Sequence, residues 1–308
     1  MMPPKISVIM SVFNGEIYLS DAINSILNQT YSNFEFLIVD DGSTDSSREI
    51  LKKFKKNDPR IRLFLNKKNI GLPAALNLAI SKSNGKFIAR MDSDDISLPN
   101  RFETQIDFLE KNPDIFLIGS SAIIIDEDGK RIGALRKFNN PKKVQKKLIT
   151  HNPLIHPSIM FRTSKLRYNP KFKYSQDYDF YLRALVSGKK ITNLSDLLIK
   201  YRIFSKDMNI QKIRKQRIFF KKAKDSYFSG IKTEMISKNL EQSLNELDIK
   251  KDYEMSMILI YIQDNKMKEA RKNILFYVKK YGINSRIILL FLISFIPYKI
   301  THFLKSKF

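Results

Sequence analysis

The sequence of 308 residues contains no cysteine, no tryptophan and only three histidines. Without cysteine the chain forms neither disulfides nor thiolate zinc sites, and a cysteine nucleophile is excluded. The N-terminus runs from Met1 through two prolines straight into an apolar, strand-like segment, so we expect no signal peptide. These absences suit a protein that works in a reducing compartment.

Long apolar runs are also missing. The run Ile287–Ile296 is only half as long as a membrane-spanning helix, which needs about 20 residues. Lys279, Lys280 and Arg286 precede it and further lysines follow, a pattern typical of an interfacial helix on an anionic membrane surface. A helix packed on the rest of the chain, or in a dimer, has the same pattern, so both interpretations stay open.

Positive charge is abundant but unevenly distributed. The net charge is +24, yet residues 1–100 are close to neutral, and the basic excess lies in residues 101–308. Such a field favours an anionic partner, which is a membrane surface, a nucleic acid or a phosphorylated acceptor. Charge alone does not choose among them.

The first half of the chain alternates short apolar runs with helical patterns. This rhythm predicts a doubly wound α/β sheet with parallel strands, whose ligands bind at the carboxyl ends of the strands. The predicted strands are Ile6–Val12, Phe34–Val39, Ile61–Leu65 and Lys86–Arg90, and the helical segments are Ile17–Leu27, Ile50–Phe54 and Ala74–Ile80.

The second half gives weaker patterns, which change to basic helical stretches after Ser205. We therefore predict a catalytic domain at residues 1–204 and a basic helical region at residues 205–308. Up to the boundary, the predicted elements are the helices Leu98–Leu109 and Gln176–Val186, the strands Ile115–Ile118, Ala122–Ile125 and Leu197–Phe204, and a turn at Asp126–Gly129. Beyond it, helices are predicted at Thr233–Leu247, Tyr253–Asp264 and Lys266–Tyr281.

Carboxylates follow two of the predicted strands. Asp40 and Asp41 come directly after the second strand, where they can bind a nucleobase N–H or a ribose hydroxyl; alternatively, Gly42 turns the chain and the segment only caps the next helix. Asp92, Asp94 and Asp95 follow the fourth strand. Three such close carboxylates repel one another unless a cation compensates, and hard oxygen ligands suit Mg²⁺ or Mn²⁺. A solvated, helix-capping loop is the alternative.

A third acidic segment, Gln176–Asp179, opens a predicted helix. If Asp177 lies in the first turn, the helix N-terminus stabilises its charged form and leaves it able to accept a proton. Simple helix capping explains the same residues.

Together, in this order, these clusters closely resemble the family-2 glycosyltransferases, which transfer sugars from nucleotide donors with inversion and have the GT-A fold. The resemblance covers about residues 5–204, and its order makes it specific, since each motif alone is weak. The matching segments are residues 6–14, 25–31, 39–45, 69–77, 89–95 with 98–101, 156–162 and 176–179.

The resemblance implies roles for the donor-binding residues. Ser11 and Phe13 match positions that line the nucleotide pocket, where an aromatic ring stacks on the base. Asp41 matches the carboxylate that binds the uracil N–H of UDP-sugars. In the Asp-x-Asp motif, Asp92 faces the ribose or sugar, and Asp94 faces the diphosphate and a Mn²⁺ or Mg²⁺ ion.

The resemblance also implies the catalytic and acceptor side. Asp177 matches the general base, and His156 lies between the donor and acceptor halves, where it touches the metal, the diphosphate or the acceptor, or is held as a structural histidine. The implied acceptor is a saccharide or a lipid-linked saccharide in cell-surface polysaccharide or lipopolysaccharide synthesis. This gives the apolar C-terminal run a reason to bind the inner face of the plasma membrane from the cytoplasm.

Other classes of protein fit the sequence less well. A dinucleotide-binding dehydrogenase needs Gly-x-Gly-x-x-Gly after the first strand, which this chain lacks. A nucleotidyltransferase usually has a glycine-rich phosphate loop where Ser11–Asn14 stands here. A nucleic-acid-binding protein is suggested only by charge, without a known module, so no nucleic-acid partner is expected. The Gln-x-x-Arg-Trp motif of processive synthases is also missing, which favours a single transfer.

Overall fold

The computed structural model describes residues 4–204, 210–228 and 246–295. In its first half, four strands alternate with three helices: β1 Ile6–Val12, α1 Glu16–Leu27, β2 Phe34–Asp40, α2 Ser47–Asn57, β3 Ile61–Leu65, α3 Leu72–Ser81 and β4 Phe87–Met91. The four strands are parallel and lie in the order β3-β2-β1-β4. The predicted doubly wound arrangement is confirmed.

The second half extends this sheet and makes it mixed. Its elements are β5 Ile96–Ser97, α4 Arg101–Lys111, β6 Ile115–Ile125, β7 Arg131–Leu135, α5 Pro141–Leu148, a 3₁₀ turn at His156–Ser158, β8 Met160–Arg162, α6 Gln176–Val186 and β9 Lys190–Arg202. From β4 the sheet continues through β8, β6 and β9 to β5, with β7 paired to β6. Because β8 runs antiparallel to both β4 and β6, the sheet is no longer purely parallel.

Alternate residues of β1 pack on opposite faces of the sheet. Val8 and Met10 belong to the core that includes Leu19 of α1, whereas Ile9 belongs to the core that includes Ala75 of α3. Full burial of one aliphatic side chain contributes about 1.5–3 kcal/mol. A strand covered on both faces therefore favours a mostly apolar run, and such runs indicate these strands in the sequence.

The segment before α4 is extended, although the sequence pattern predicts a helix from Leu98. The backbone N–H of Leu98 donates to the carbonyl oxygen of Leu198 in β9 at 2.9 Å, and β5 pairs with β9 just before it. Pro99 disfavours the helical conformation at the residue preceding it. The helix therefore begins at Arg101.

The two predicted strands Ile115–Ile118 and Ala122–Ile125 form one strand, β6, whose register with β9 shifts near Gly119. A Cβ atom at Gly119 would lie 2.5 Å from Oδ1 of Asn193, so the close approach of the strands requires glycine here. The strand β9 also begins earlier than predicted, at Lys190.

The basic C-terminal region is helical where it is described, with α7 Ile210–Phe228, α8 Glu246–Gln263, α9 Met267–Tyr281 and α10 Ser285–Ile293. The helices predicted at Tyr253–Asp264 and Lys266–Tyr281 are confirmed as α8 and α9. The helix predicted at Thr233–Leu247 lies outside the described residues except for its last two positions, which belong to α8. Within the described ranges, no helix has both the length and the apolar character needed to cross a membrane.

The helix α8 docks directly on β7. Asp264 forms an ion pair with Arg131, and the backbone N–H of Arg136 donates to Oε1 of Gln263 at 3.0 Å. A Cβ atom at Gly133 would lie 2.5 Å from Cγ2 of Ile260. The helix α8 can therefore pack this closely on β7 because residue 133 has no side chain. The C-terminal helices are therefore fastened to the sheet that carries the site.

Candidate active site

The loops that follow β1 and β2 brace each other at the carboxyl edge of the sheet. The backbone N–H of Asn14 donates to Oγ of Ser43 at 3.0 Å, and the side chain of Asn14 accepts the N–H of Thr44 at 2.9 Å. Gly42 has a φ of 80°, and a Cβ atom there would lie 2.7 Å from the carbonyl carbon of Lys68. The expected turn at Gly42 is confirmed, and only glycine fits it.

The predicted nucleotide-pocket residues Ser11 and Phe13 lie at the end of β1. Ser11 is half-buried, and Phe13 is 49% exposed. An aromatic side chain left this exposed at the edge of the sheet has a face available for stacking. The position fits the predicted contact with a nucleobase.

Asp41 is buried, and it already has three hydrogen-bond donors. Its Oδ1 accepts Nδ2 of Asn66 at 2.8 Å and the N–H of Ile70 at 2.9 Å, and its Oδ2 accepts the N–H of Gly71 at 2.9 Å. Asp41 thus shapes the loop before α3, a role the sequence pattern did not indicate. A carboxylate has about four lone-pair positions, so Oδ2 can accept one more donor.

Asp92, Asp94 and Asp95 form a compact cluster after β4. One carboxylate oxygen from each lies within 4.8 Å of the others. Asp95 is buried; its Oδ1 accepts the N–H of Arg202 at 2.8 Å, whereas its Oδ2 has no hydrogen-bond partner among the described residues. Burial, together with the charges of Asp92 and Asp94, raises the pKa of Asp95 well above its usual value. A divalent cation would relieve this repulsion, and the hard oxygen donors suit Mg²⁺ or Mn²⁺.

Arg90, which the sequence reasoning missed, holds Asp92 in place. Its guanidinium is buried and donates through both Nη atoms to the two oxygens of Asp92, one of them at 2.5 Å. In the part of the chain that the structure describes, its Nε has no partner. Nη2 of the buried Arg101 in turn donates to the carbonyl oxygen of Arg90 at 2.7 Å. Asp92 therefore presents a fixed, partly neutralised carboxylate to the site.

Asp177 lies in the first turn of α6, as predicted. Nδ2 of Asn152 donates to its Oδ2 at 2.7 Å. Burial raises the pKa of Asp177 above its usual value, and this outweighs the N–H of Tyr178, the amide of Asn152 and the charge of Arg90, which all favour the ionised form. The expected stabilisation by the helix N-terminus is present but smaller than the effect of burial, which leaves a more basic carboxylate.

His156 is fixed by aromatic neighbours. Its Nε2 lies 2.8 Å from the hydroxyl of Tyr168, and its ring meets the rings of Tyr168 and Tyr181 edge-on. Burial and the charge of Arg90 hold the pKa of His156 well below its usual value, so the imidazole is neutral. The ring is held structurally and also lines the cleft described next.

One cleft of about 850 Å³ brings together the predicted residues of the Asp-x-Asp motif, the candidate base and the histidine. The opposite wall comes from α7, which has no counterpart among the predicted elements because its basic residues form no clear amphipathic pattern. The residues of α7 that line the cleft are Ile213, Gln216, Arg217 and Phe220, whereas Ser11, Phe13 and Asp41 are not part of its lining.

The helix α7 is clamped to α6, which carries Asp177. Ser175, in the left-handed conformation with a φ of 51°, donates its hydroxyl to the carbonyl oxygen of Gln216 at 2.9 Å. Tyr178 stacks on Phe220 with ring centroids 3.9 Å apart. The C-terminal region thus helps to position the candidate base.

A mixed sheet with an Asp-x-Asp cluster at its carboxyl edge is the architecture of the GT-A glycosyltransferases. The chain belongs to one family of them, because residues 7–168 match the profile described as "Glycosyl transferase family 2". The family membership selects a glycosyltransferase over the dehydrogenase and nucleotidyltransferase alternatives.

Relatives support this assignment over most of the chain. An uncharacterized glycosyltransferase of Haemophilus influenzae is 32% identical, and the match covers 97% of this chain and 93% of that protein. The O-antigen biosynthesis glycosyltransferase WbnJ of Escherichia coli is 39% identical, over 65% of this chain and 80% of its own. The amylovoran biosynthesis glycosyltransferase AmsE of Erwinia amylovora is 33% identical, over 66% and 78%.

Solved structures share the fold. S. aureus TarS in complex with UDP superposes with a TM-score of 0.56 at 16% identity, covering 94% of this chain and 90% of that one. The mannosyltransferase PcManGT of Pyrobaculum calidifontis, in complex with GDP-Man and Mn²⁺, gives a TM-score of 0.54 at 12% identity, covering 94% and 84%. The fold therefore accommodates more than one nucleotide.

Proposed function

We propose that this protein transfers a sugar, with inversion, from a UDP-sugar to a hydroxyl of a saccharide or lipid-linked saccharide during cell-surface polysaccharide synthesis. The observation that carries this proposal is that Asp177 lines the same cleft as Asp92 and Asp94. The similarity to WbnJ and AmsE, glycosyltransferases of O-antigen and amylovoran biosynthesis, supports the polysaccharide context.

Asp177 acts as the general base. It takes the proton of the acceptor hydroxyl as the hydroxyl oxygen attacks the anomeric carbon, opposite the departing nucleoside diphosphate. A positioned base contributes about 10²–10⁴-fold in rate, and a raised pKa brings it closer to the working pH. Because one displacement suffices, the anomeric configuration inverts and no nucleophilic carboxylate is needed.

Asp94, assisted by Asp92 and Asp95, would hold a Mn²⁺ or Mg²⁺ ion, since their carboxylate oxygens lie close together. When bound, the ion supplies charge neutralisation for the leaving diphosphate. Asp92, fixed by Arg90, binds hydroxyls of the donor. The neutral ring of His156 lies beside them as a hydrogen-bonding group that adds no charge to the site.

Asp41 and Phe13 select the nucleotide, so UDP should stabilise the protein more than GDP. The accepting Oδ2 of Asp41 suits the uracil N–H, and Phe13 stacks on the base. With UDP at 100 times Kd, binding adds about 2.7 kcal/mol of stability, or a rise in Tm of roughly 4 °C for a chain of this size. Thermal melts with UDP, GDP and dTDP, each with Mn²⁺, measure this.

Phe13→Leu tests the stacking on the base. Its control is Ile17→Leu, a substitution at an exposed apolar residue of α1. Only Phe13→Leu should shrink the UDP-induced shift. A larger shift with GDP than with UDP would contradict the assignment of Asp41 while leaving the glycosyltransferase class intact.

Within the described residues, the apolar run Ile287–Ile296 has one buried side and one exposed side. Ile287, Leu290 and Ile293 pack into a core with α8 and α9. A second set of apolar side chains on α9, α10 and the residues next to them remains between 42% and 69% exposed: Leu275, Phe276, Ile283, Ile288, Leu289, Leu292 and Phe295. Part of the run therefore serves packing, and part faces outward.

This outward set, here called the apolar patch, is proposed to dock on an anionic membrane at the inner face of the plasma membrane. Lys279, Lys280 and Arg286 are exposed beside the patch, and residues 205–308 hold 22 Lys+Arg against 10 Asp+Glu. Each basic residue near an anionic surface contributes about 1 kcal/mol, and inserted apolar side chains add to this.

The triple variant Leu289→Ser, Leu292→Ser, Phe295→Ser should bind anionic vesicles about tenfold to hundredfold more weakly than the wild type, because each change removes apolar area from insertion. Sedimentation with phosphatidylglycerol and with phosphatidylcholine vesicles measures this. The control changes two exposed apolar residues elsewhere, Ile17→Ser and Val186→Ser, and should bind normally.

High salt separates the two contributions to binding. One molar salt screens the lysines and arginines but not the apolar insertion, so wild-type binding should fall without disappearing. Equal binding by the triple variant and the wild type, or no wild-type binding at low salt, would contradict the membrane proposal and favour a protein partner for the patch.

A further inference from the structure

Asn152 contacts the candidate base in a single defined orientation. Nδ2 of Asn152 donates to Oδ2 of Asp177 at 2.7 Å, and Oδ1 of Asn152 accepts the backbone N–H of Leu154 at 3.2 Å. Because a backbone N–H can only donate, it fixes Oδ1 toward Leu154 and leaves the amino group facing Asp177. The direction of the hydrogen bond therefore follows from the fold.

The backbone around Asn152 is also held in place. Pro153 and Leu154 are buried, and Nδ2 of the buried Asn193 donates to the carbonyl oxygen of Pro153 at 3.3 Å. Asn152 thus reaches the cleft from a fixed segment between α5 and the 3₁₀ turn. A side chain on such a segment can hold a catalytic group to within a fraction of an ångström.

We propose that Asn152 is a positioning residue of the reaction: its amide donates to Oδ2 of Asp177 and so fixes the orientation of the carboxylate that takes the acceptor proton. This inference rests on the proposed role of Asp177 as the base. Asn152 need not touch the substrate, since it acts through the carboxylate.

The charges around Asp177 determine what losing this hydrogen bond does. Burial raises the pKa of Asp177, and the amide of Asn152 opposes this. Arg90, Tyr168 and Tyr181 interact electrostatically with Asp177. Ionisable side chains that line the same cleft include Asp92, Asp94, His156, Lys173 and Arg217. Of these, Arg90 also favours the ionised form of Asp177. When Asn152 is replaced, the charge of Arg90 therefore still offsets part of the rise in pKa that burial causes.

Asn152→Ala should lower kcat at neutral pH by about tenfold or more and move the acidic limb of the kcat–pH profile up by about one pH unit. Losing a hydrogen bond to the ionised carboxylate disfavours that form, and a tenfold loss of the ionised form corresponds to a rise of one unit in the pKa. Asn152→Asp keeps the shape of the side chain but places a second carboxylate against that of Asp177. The acidic limb of its kcat–pH profile should therefore move further up than that of Asn152→Ala. The KM for the donor should stay within about twofold in both.

Asn169→Ala is the matched control, because Oδ1 of Asn169 also accepts a backbone N–H, that of Lys171, but does so in an exposed turn outside the cleft. It should leave the pH profile unchanged. In the double variant with Asp177→Asn, Asn152→Ala should cause no further loss of kcat, because the group it acts on is already gone.

Two results overturn the inference: a pH profile of Asn152→Ala that matches the wild type, or an undiminished effect of Asn152→Ala in the Asp177→Asn background. Circular dichroism and melting curves establish that each variant is folded before its kinetics are compared. Failure of the underlying function is a different result, since Asp177→Asn alone would then retain activity.

Discussion

Asp177→Asn is expected to lower kcat by about 10²–10⁴-fold while the donor KM stays close to the wild-type value. The amide keeps the shape of the carboxylate but cannot take the acceptor proton, so the loss belongs to the transition state and not to donor binding. Initial rates of nucleoside diphosphate release, measured over a range of donor concentrations with saturating acceptor, separate the two constants.

The same change should leave the fold intact or make it more stable. Because burial raises the pKa of Asp177 in the folded state, the group destabilises the protein increasingly as the pH rises through that folded-state pKa. Removing the charge should therefore raise Tm at neutral pH and have little effect at low pH. A gain in stability combined with a loss of activity is typical of a residue kept for catalysis.

Asp179→Asn is the matched control two residues further along the same helix. Asp179 is buried and bonded to Arg183 at 2.8 Å and to the hydroxyl of Tyr227 at 3.0 Å, so its replacement breaks a structural network. This variant should keep most of its kcat, because Asp179 is not among the residues that line the cleft. If Asp177→Asn retained more than about a tenth of wild-type turnover, the base would have to be another residue.

The sequence predicts the first half of the fold well because local and tertiary preferences agree there. The strands Ile6–Val12 and Ile61–Leu65 are predicted to the residue. The first lies inside a covered sheet that favours apolar side chains, whereas the second is an edge strand in which only Ile61 is buried. The sequence does not predict the start of α4 or the continuity of β6, because both depend on pairing with β9. Those contacts join residues too far apart for periodicity to indicate.

The candidate site divides in the same way. Asp92, Asp94 and Asp177 belong to motifs with a recognisable order, so the sequence points to them directly. Arg90 holds Asp92 from β4, two residues earlier in the chain, and Asn152 holds Asp177 from a distant loop; neither residue type indicates such a contact by itself. Supporting contacts of this kind depend on the folded geometry alone.

Removal of divalent metal with EDTA is expected to abolish activity, and Mn²⁺ or Mg²⁺ should restore it. Asp94→Asn should reduce kcat/KM by about 10²–10³-fold, because the ion supplies several kcal/mol of charge stabilisation and each 1.36 kcal/mol is a factor of ten. Part of this loss should be recovered at high Mn²⁺ concentration, since the weakened site still has the carboxylates of Asp92 and Asp95.

Asp94 is the informative member of the cluster, because Asp92 is bonded to the buried Arg90, and removing it would leave a charge unpaired in the interior. Asp128→Asn, at an exposed turn outside the cleft, is the control and should keep its activity and metal response. Titrating Mn²⁺ into EDTA-treated wild type, Asp94→Asn and Asp128→Asn, with UDP release as the readout, compares the three. Full activity of the wild type in EDTA, or an unchanged metal requirement in Asp94→Asn, would mean that the cluster holds no catalytic ion, and the cations lining the cleft would then have to neutralise the leaving diphosphate.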